Sequence, residues 1–167
     1  MKNITKKVLD EAFAGESMAH MKYLSFAEIA EKEGFSNIAR LFRAIAFAEQ
    51  VHAINHARVL EYLNNTEKNL QTAIEGETYE VEEMYPSFDA IVNLQGEEKA
   101  HRSIHYAIEA EKIHQLLYSN AKKSVIKGKD VEIDEIYICP VCGYTHIGPP
   151  PENCPVCNLS GKKFKKF

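Results

Sequence analysis

Apolar residues recur every three or four positions through most of the chain, which is the pattern of amphipathic helices. Glycine and asparagine interrupt the pattern at 34–37, 64–66, 96 and 128. The pattern predicts long helices at about 4–32, 37–64, 74–95 and 97–127. A short extra helix is predicted from Thr66, and Pro86 predicts a bend or an irregular turn inside the third long helix. Four long helices with short connections favour an antiparallel four-helix bundle.

The composition of the chain changes near residue 130. All four cysteines and five of the six prolines lie at or beyond Cys139, whereas the first 138 residues hold one proline and no cysteine. The stretch 127–135 is charged and contains a glycine, as is typical of an exposed linker. The sequence therefore predicts two domains, a helical one over 1–130 and a small one over 131–167.

Carboxylates and histidines interrupt the apolar stripes of the predicted helices. The motif Glu-x-x-His occurs at Glu49 and His52 and again at Glu111 and His114. Residues three apart lie on one side of a helix, so each pair can point at one site. Three further glutamates share these faces: Glu16, Glu80 and Glu83. All seven residues lie at similar distances from the predicted hairpin turns at Gly34 and Gly96, which predicts a single layer in the bundle.

Five carboxylates buried close together are unfavourable without cations. A glutamate from each of two helices, with a Glu-x-x-His pair from each of two others, is the pattern of carboxylate-bound di-iron bundles. Carboxylate and imidazole ligands suit iron or manganese. Tyr23 lies two turns from Glu16 on the same face, where it either hydrogen-bonds a ligand carboxylate or packs in the core.

The C-terminal part contains the motif Cys-Pro-Val-Cys twice, at Cys139–Cys142 and at Cys154–Cys157. Two such pairs in so short a segment indicate a four-thiolate metal site, and the small segment needs the metal to stabilise its fold. Gly143 and Asn158 follow the two motifs, and both tolerate the left-handed backbone that tight metal-binding turns require. Zinc and iron both accept four thiolates, so the spacing leaves the choice of metal open.

In combination, these motifs resemble those of the rubrerythrin family. The resemblance covers nearly the whole chain and rests on Ala14-Gly-Glu16-Ser17, Glu80-x-x-Glu83-Met-Tyr-Pro86, the two Glu-x-x-His pairs and the two cysteine motifs. It implies a ferritin-like di-iron four-helix bundle followed by a rubredoxin-like domain made mainly of strands and loops. It also implies the di-iron ligands Glu16, Glu49, Glu80, Glu83, Glu111 and His114. By the same resemblance His52 exchanges with Glu83 when the iron changes oxidation state, and the four cysteines bind a single iron.

The activity implied by this resemblance is the reduction of hydrogen peroxide to water by a non-haem di-iron peroxidase, in defence against oxidative stress. Electrons would come from NAD(P)H through rubredoxin or a reductase, and the cysteine-bound iron would relay them. The di-iron ligands and His52 would be the catalytic groups, with Tyr23 assisting proton delivery. A homodimer or larger homo-oligomer is expected, and the connection 64–76 allows a domain-swapped arrangement.

Two other functions stay open at this stage. One is a ferritin-like protein that oxidises and stores iron, and the other is a helical bundle carrying a structural zinc ribbon. The net charge of −4, without a basic stripe, argues against nucleic-acid binding. The longest apolar run, Ala44–Ala48, is far shorter than the ~20 residues of a membrane span. The first residues contain no apolar segment of the secretory type, so a cytoplasmic location is expected.

Overall fold

The computed structural model describes all 167 residues, with helices up to residue 126 and a small strand-containing module after it. The helices are α1 (Asn3–Lys32), α2 (Ser36–Val59), α3 (Thr66–Tyr79), α4 (Tyr85–Leu94) and α5 (Glu98–Ile126). A π-helical turn (Glu80–Met84) joins α3 to α4. The strands are β1 (Ile136–Ile138), β2 (Thr145–Ile147) and β3 (Lys165–Lys166). None of the helices combines the length and the apolar character needed to cross a lipid bilayer.

The chain divides into two compact units, Met1–Asn64 and Asn65–Phe167. The first unit is a hairpin of α1 and α2 around a turn at Gly34, whose φ of +86° suits glycine. Its buried residues are mostly alanines, since small side chains let two helices approach closely: Ala27, Ala30, Ala39, Ala46, Ala53 and Ala57. α2 ends at Val59, earlier than predicted, and Glu61 just beyond it adopts a positive φ of 60°.

In the second unit α3 and α4 pack against α5. The prediction of a separate short helix from Thr66 was wrong, because α3 runs unbroken from Thr66 to Tyr79. Asn65 caps this helix by accepting the backbone N–H of Lys68. The irregularity predicted at Pro86 is confirmed as the π-helical turn. Proline has no N–H to continue the α-helical hydrogen bonds, and Tyr85 N–H bonds the carbonyl of Glu80 instead.

The C-terminal module is built on an antiparallel sheet of order β2-β1-β3. Its core consists of Cys139, Cys142, Cys154 and Phe164, and Tyr106 of α5 packs against it. The fold class predicted from the sequence, four helical stretches followed by a small module of strands and loops, is confirmed. The predicted domain boundary near residue 130 lies between α5 and β1, inside the second unit.

Gly161 is the position in the module that should tolerate a side chain least. A Cβ atom there would lie 1.8 Å from the carbonyl oxygen of Pro151, and the Gly161 N–H bonds the carbonyl of Glu152. We expect Gly161→Ala to weaken the module and to reduce hydrogen-exchange protection of the β1 and β2 amides. Gly76→Ala is the matched control, because nothing lies within 4 Å of its added Cβ in α3, and it should stabilise the helix by about 0.5–1 kcal/mol. Equal protection in both variants would contradict this packing argument.

Candidate metal sites

The first unit brings together one carboxylate from α1 and a Glu-x-x-His pair from α2. Glu16, Glu49 and His52 place one ligand atom each within 4.8 Å of one another. His52 Nδ1 lies 3.0 Å from Glu49 Oε2 and 3.8 Å from Glu16 Oε1. The Glu49 side chain is 17% exposed and that of His52 is 54% exposed. Three residues predicted as ligands therefore form one triad, with the histidine at its open side.

The second unit forms a matching triad from α3 and α5. Its members are Glu77, Glu111 and His114, whose ligand atoms again lie within 4.8 Å of one another. His114 Nδ1 lies 2.6 Å from Glu111 Oε2, and the carboxyl groups of Glu77 and Glu111 are hydrogen-bonded. This triad is more enclosed than the first, since all three residues are half-buried.

Glu77 is a candidate ligand that the sequence reasoning missed. Glu80 lies close to the second triad, where burial and the charge of Glu111 raise its pKa while His114 acts in the opposite direction. Glu83 is exposed on the π-helical turn and belongs to neither triad. The spacing of the glutamates does indicate Glu77 as a candidate. Glu77 lies three residues before Glu80, and the same spacing links Glu80 to Glu83. The ligand role of Glu83 stays a prediction.

The carboxylates of the second triad repel one another when no cation is bound. Burial, the hydrogen bond to Glu111 and the charges of Glu111 and Glu80 raise the pKa of Glu77 from 4.5 to about 7. In the metal-free site this shift favours a proton on Glu77, shared with Glu111, below about pH 7. A divalent cation replaces that proton and satisfies the same oxygens, so the donor set fits a hard or borderline metal such as iron.

The two tyrosines near these sites differ in their surroundings. Tyr23, predicted from the sequence, lies in an aromatic cluster with Phe26 and Phe42, at ring-centroid distances of 6.2 and 6.1 Å. Tyr85, which the sequence reasoning did not single out, lies beside the second triad. Its pKa is raised by burial and by the carboxylates of Glu80, Glu111 and Glu77.

The four cysteines meet in the C-terminal module as free thiols. The sulfur atoms of Cys139 and Cys157 are 3.5 Å apart, as are those of Cys142 and Cys154. A tetrahedral ion with metal–sulfur bonds of about 2.3 Å needs sulfur–sulfur distances of about 3.8 Å. The four thiols are therefore arranged for one tetrahedrally bound ion.

The two cysteine turns repeat one backbone geometry. Gly143 N–H bonds the Cys139 carbonyl, and Asn158 N–H bonds the Cys154 carbonyl. The left-handed backbone predicted after each motif is confirmed, with φ of +78° at Gly143 and +62° at Asn158. Burial opposes ionisation of the Cys154 thiol, but the N–H groups of Cys157 and Val156 and the neighbouring thiols lower its pKa. The second turn thus favours the thiolate form at Cys154, whereas burial and neighbouring thiols raise the pKa of Cys142 and Cys157 when no metal is bound.

Comparisons with known proteins agree with this division of sites. The Rubrerythrin family model matches residues 7–122, and the rubredoxin-like domain model of rubrerythrin matches residues 137–165. The chain belongs to the rubrerythrin family. In this family context each triad is a set of candidate iron ligands, and the four cysteines are those of a single iron.

Relatives match over almost the full length of the chain. Rubrerythrin-2 of Clostridium acetobutylicum is 43% identical, with 98% of this chain and 97% of the relative covered. Nigerythrin of Nitratidesulfovibrio vulgaris is 36% identical, with 92% of this chain and 81% of the relative covered. The structure of partially reduced nigerythrin matches with a TM-score of 0.58 and 32% identity, covering 98% of this chain and 86% of that one.

Substitution of Glu77 tests which carboxylate completes the second triad. Glu77→Gln keeps the shape of the side chain but removes one anionic ligand, so we expect the purified variant to lose iron from the helical part. Glu83→Gln is the matched control, and it should retain the wild-type iron content because Glu83 is exposed and outside the triad. Iron analysis of both variants is the measurement. Iron loss in Glu83→Gln alone would favour the ligand set predicted from the sequence.

The raised pKa of Glu77 predicts a pH dependence of stability in protein stripped of its helical-site metal. The native state keeps a proton that the unfolded chain releases above pH 4.5, so this contribution is lost as pH rises through about 7. Glu77→Gln cannot ionise. Its urea midpoint should therefore exceed the wild-type midpoint more at pH 8 than at pH 5.5.

Glu83→Gln again serves as the control, because this exposed residue is not hydrogen-bonded to another carboxyl group. Its midpoint should differ from wild type by the same amount at both pH values. A Glu77→Gln difference that does not change with pH would contradict the proton shared by Glu77 and Glu111.

Proposed function

We propose that the protein is a non-haem di-iron peroxidase that reduces hydrogen peroxide to water. The observation that carries the proposal is the presence in one chain of two Glu/His triads and a four-thiolate site. Hydrogen peroxide takes up two electrons and two protons and yields two molecules of water. Iron held by the Glu/His triads would supply the two electrons, and iron held by the four cysteines would restore them one at a time.

The side chains around the second triad suit the proton requirements of this reaction. Tyr85 keeps its hydroxyl proton at neutral pH because burial and three neighbouring carboxylates raise its pKa. Its O–H group is therefore available to donate a hydrogen bond to a peroxide oxygen beside the triad. Tyr23 remains the donor proposed from the sequence, although its ring packs against Phe26 and Phe42.

His52 is the ligand best suited to move during turnover. Its side chain is 54% exposed, and within the first unit only the carboxylates of Glu49 and Glu16 contact its ring nitrogens. From the family resemblance we infer that it exchanges with Glu83 when the iron changes oxidation state. Glu83 is exposed on the π-helical turn, so few contacts oppose movement of its side chain.

The reducing equivalents are proposed to come from NAD(P)H through rubredoxin or a dedicated reductase. The cytoplasm, expected from the sequence, is the proposed site of action. A homodimer or larger homo-oligomer, with or without a domain swap, remains the expected assembly.

The proposal is tested by metal content and by separating the two redox steps. Native protein should contain about three irons per chain and show the red absorption of ferric four-thiolate iron. Chemically reduced Cys157→Ala should still be oxidised by one equivalent of peroxide in a single turnover. Its steady-state turnover with reductase and NAD(P)H should fall close to background, because the relay iron is lost.

Val141→Ala provides the control for this variant, since Val141 lies exposed within a cysteine motif and binds no metal. It should match wild type in both assays. Zinc in the cysteine site of native protein would favour a zinc ribbon, and iron uptake without peroxide turnover would favour an iron store. Unchanged steady-state turnover in Cys157→Ala would contradict the relay.

A further inference from the structure

One face of α5 packs directly on the cysteine module. Tyr106, Ala110 and His114 are spaced four residues apart and therefore share this face. Tyr106 packs against the cysteine core, and Ala110 is buried. A Cβ atom added to Gly143 would lie 3.6 Å from the Cβ of Ala110, so the backbone of the first cysteine turn lies against the helix. His114 thus belongs both to the second triad and to the contact with the module.

A hydrogen bond joins His114 to the module at this contact. His114 Nε2 lies 2.8 Å from the hydroxyl oxygen of Thr145, at the start of β2. The same hydroxyl donates to the carbonyl oxygen of Gly143 at 3.2 Å. Thr145 is only 6% exposed, so water does not compete for these bonds.

The direction of these bonds fixes the state of the imidazole ring. A carbonyl oxygen only accepts, so the single hydroxyl hydrogen of Thr145 points to Gly143. The hydroxyl oxygen is then left to accept, and His114 Nε2 must carry the proton that it receives. Nδ1 lies 2.6 Å from Glu111 Oε2, so a hydrogen joins these two atoms in the metal-free protein. Because Nε2 is committed to Thr145, Nδ1 is the nitrogen left to bind a metal in place of that hydrogen.

We propose that Thr145 is a positioning residue for the metal held by Glu77, Glu111 and His114. Thr145 holds the His114 ring in one orientation and leaves Nδ1 to bind the metal. Because Thr145 belongs to the cysteine module, this orientation depends on correct folding of the module. The inference rests on the proposed function in one respect, namely that His114 binds iron. His52 has no equivalent partner, since within the first unit its Nε2 makes no hydrogen bond.

The test removes the hydroxyl and then restores it in the iron-loaded, full-length protein. Partners of metal-binding histidines typically contribute 10–100-fold to metal affinity. Thr145→Val should therefore release one helical-site iron to a competing chelator at roughly 10–100-fold lower chelator concentration than wild type. Thr145→Ser should restore most of the affinity, because serine supplies the same hydroxyl. Tyr144→Phe, which removes the neighbouring hydroxyl, is the matched control and should behave as wild type.

A spectroscopic measurement tests the ring state directly. In zinc-loaded, ¹⁵N-histidine-labelled wild-type protein, His114 should show a slowly exchanging Nε2–H and a metal-bound Nδ1. Thr145→Val should retain the metal-bound Nδ1 but lose the slow exchange.

The outcomes separate this inference from the proposed function. Native protein without iron in the helical part would contradict the proposed function itself. If Thr145→Val keeps its helical-site iron against the chelator as well as wild type does, the proposed role of Thr145 is overturned. The proposed function is not affected by that result. Loss of the red absorption in Thr145→Val would mean that the substitution disturbs the cysteine site itself. The histidine spectrum of the wild-type protein would then decide. Metal bound through Nε2 of His114 would overturn the inference, and metal bound through Nδ1 would support it.

Discussion

Repulsion between carboxylates is the constraint on which the helical sites depend. Glu77 and Glu111 share a hydrogen bond that requires a proton, and Glu80 adds a third charge nearby. A protein selected for stability alone would replace such residues with apolar ones, because burial of unpaired charge is costly. Their retention on the faces that also bear the Glu-x-x-His pairs makes sense when a cation is bound. The negative charge that destabilises the metal-free site is what provides its affinity for iron.

The cysteine module also depends on a bound metal, although its core is much smaller. Its core contains three buried cysteines and Phe164, so little apolar surface holds it together without a metal. The backbone turns at Gly143 and Asn158 orient amide groups toward sulfur before any metal binds. The module also borrows packing from Tyr106 and Ala110 of α5. Its stability is therefore linked to the helix that presents Glu111 and His114.

Much of this arrangement was predictable from the sequence, for reasons that particular residues make clear. The bounds of α1 and α5 differ by no more than one residue from the prediction, because Gly34 and Gly96 end the helical patterns with positive φ. The prediction failed around α3, where capping by Asn65 and the π-helical turn are local features that periodicity does not reveal. Glu77 was missed for a different reason, since it shares the three-residue spacing of Glu80 and Glu83 but lies outside the motif that carries the family resemblance. The contact of Thr145 with His114 depends on tertiary packing and leaves no signal in the spacing of residues.

The two Glu-x-x-His pairs look equivalent in sequence but are held differently in the structure. His114 is fixed at both ring nitrogens, by Glu111 and Thr145, and its side chain is 28% exposed. His52 is held at one nitrogen and is about twice as exposed. On the proposed function, a ligand that leaves and returns needs few other bonds, whereas a ligand beside the module proposed to supply electrons keeps its position. The internal repeat thus provides two similar ligand pairs, and the residues around them hold His114 at two ring nitrogens and His52 at one.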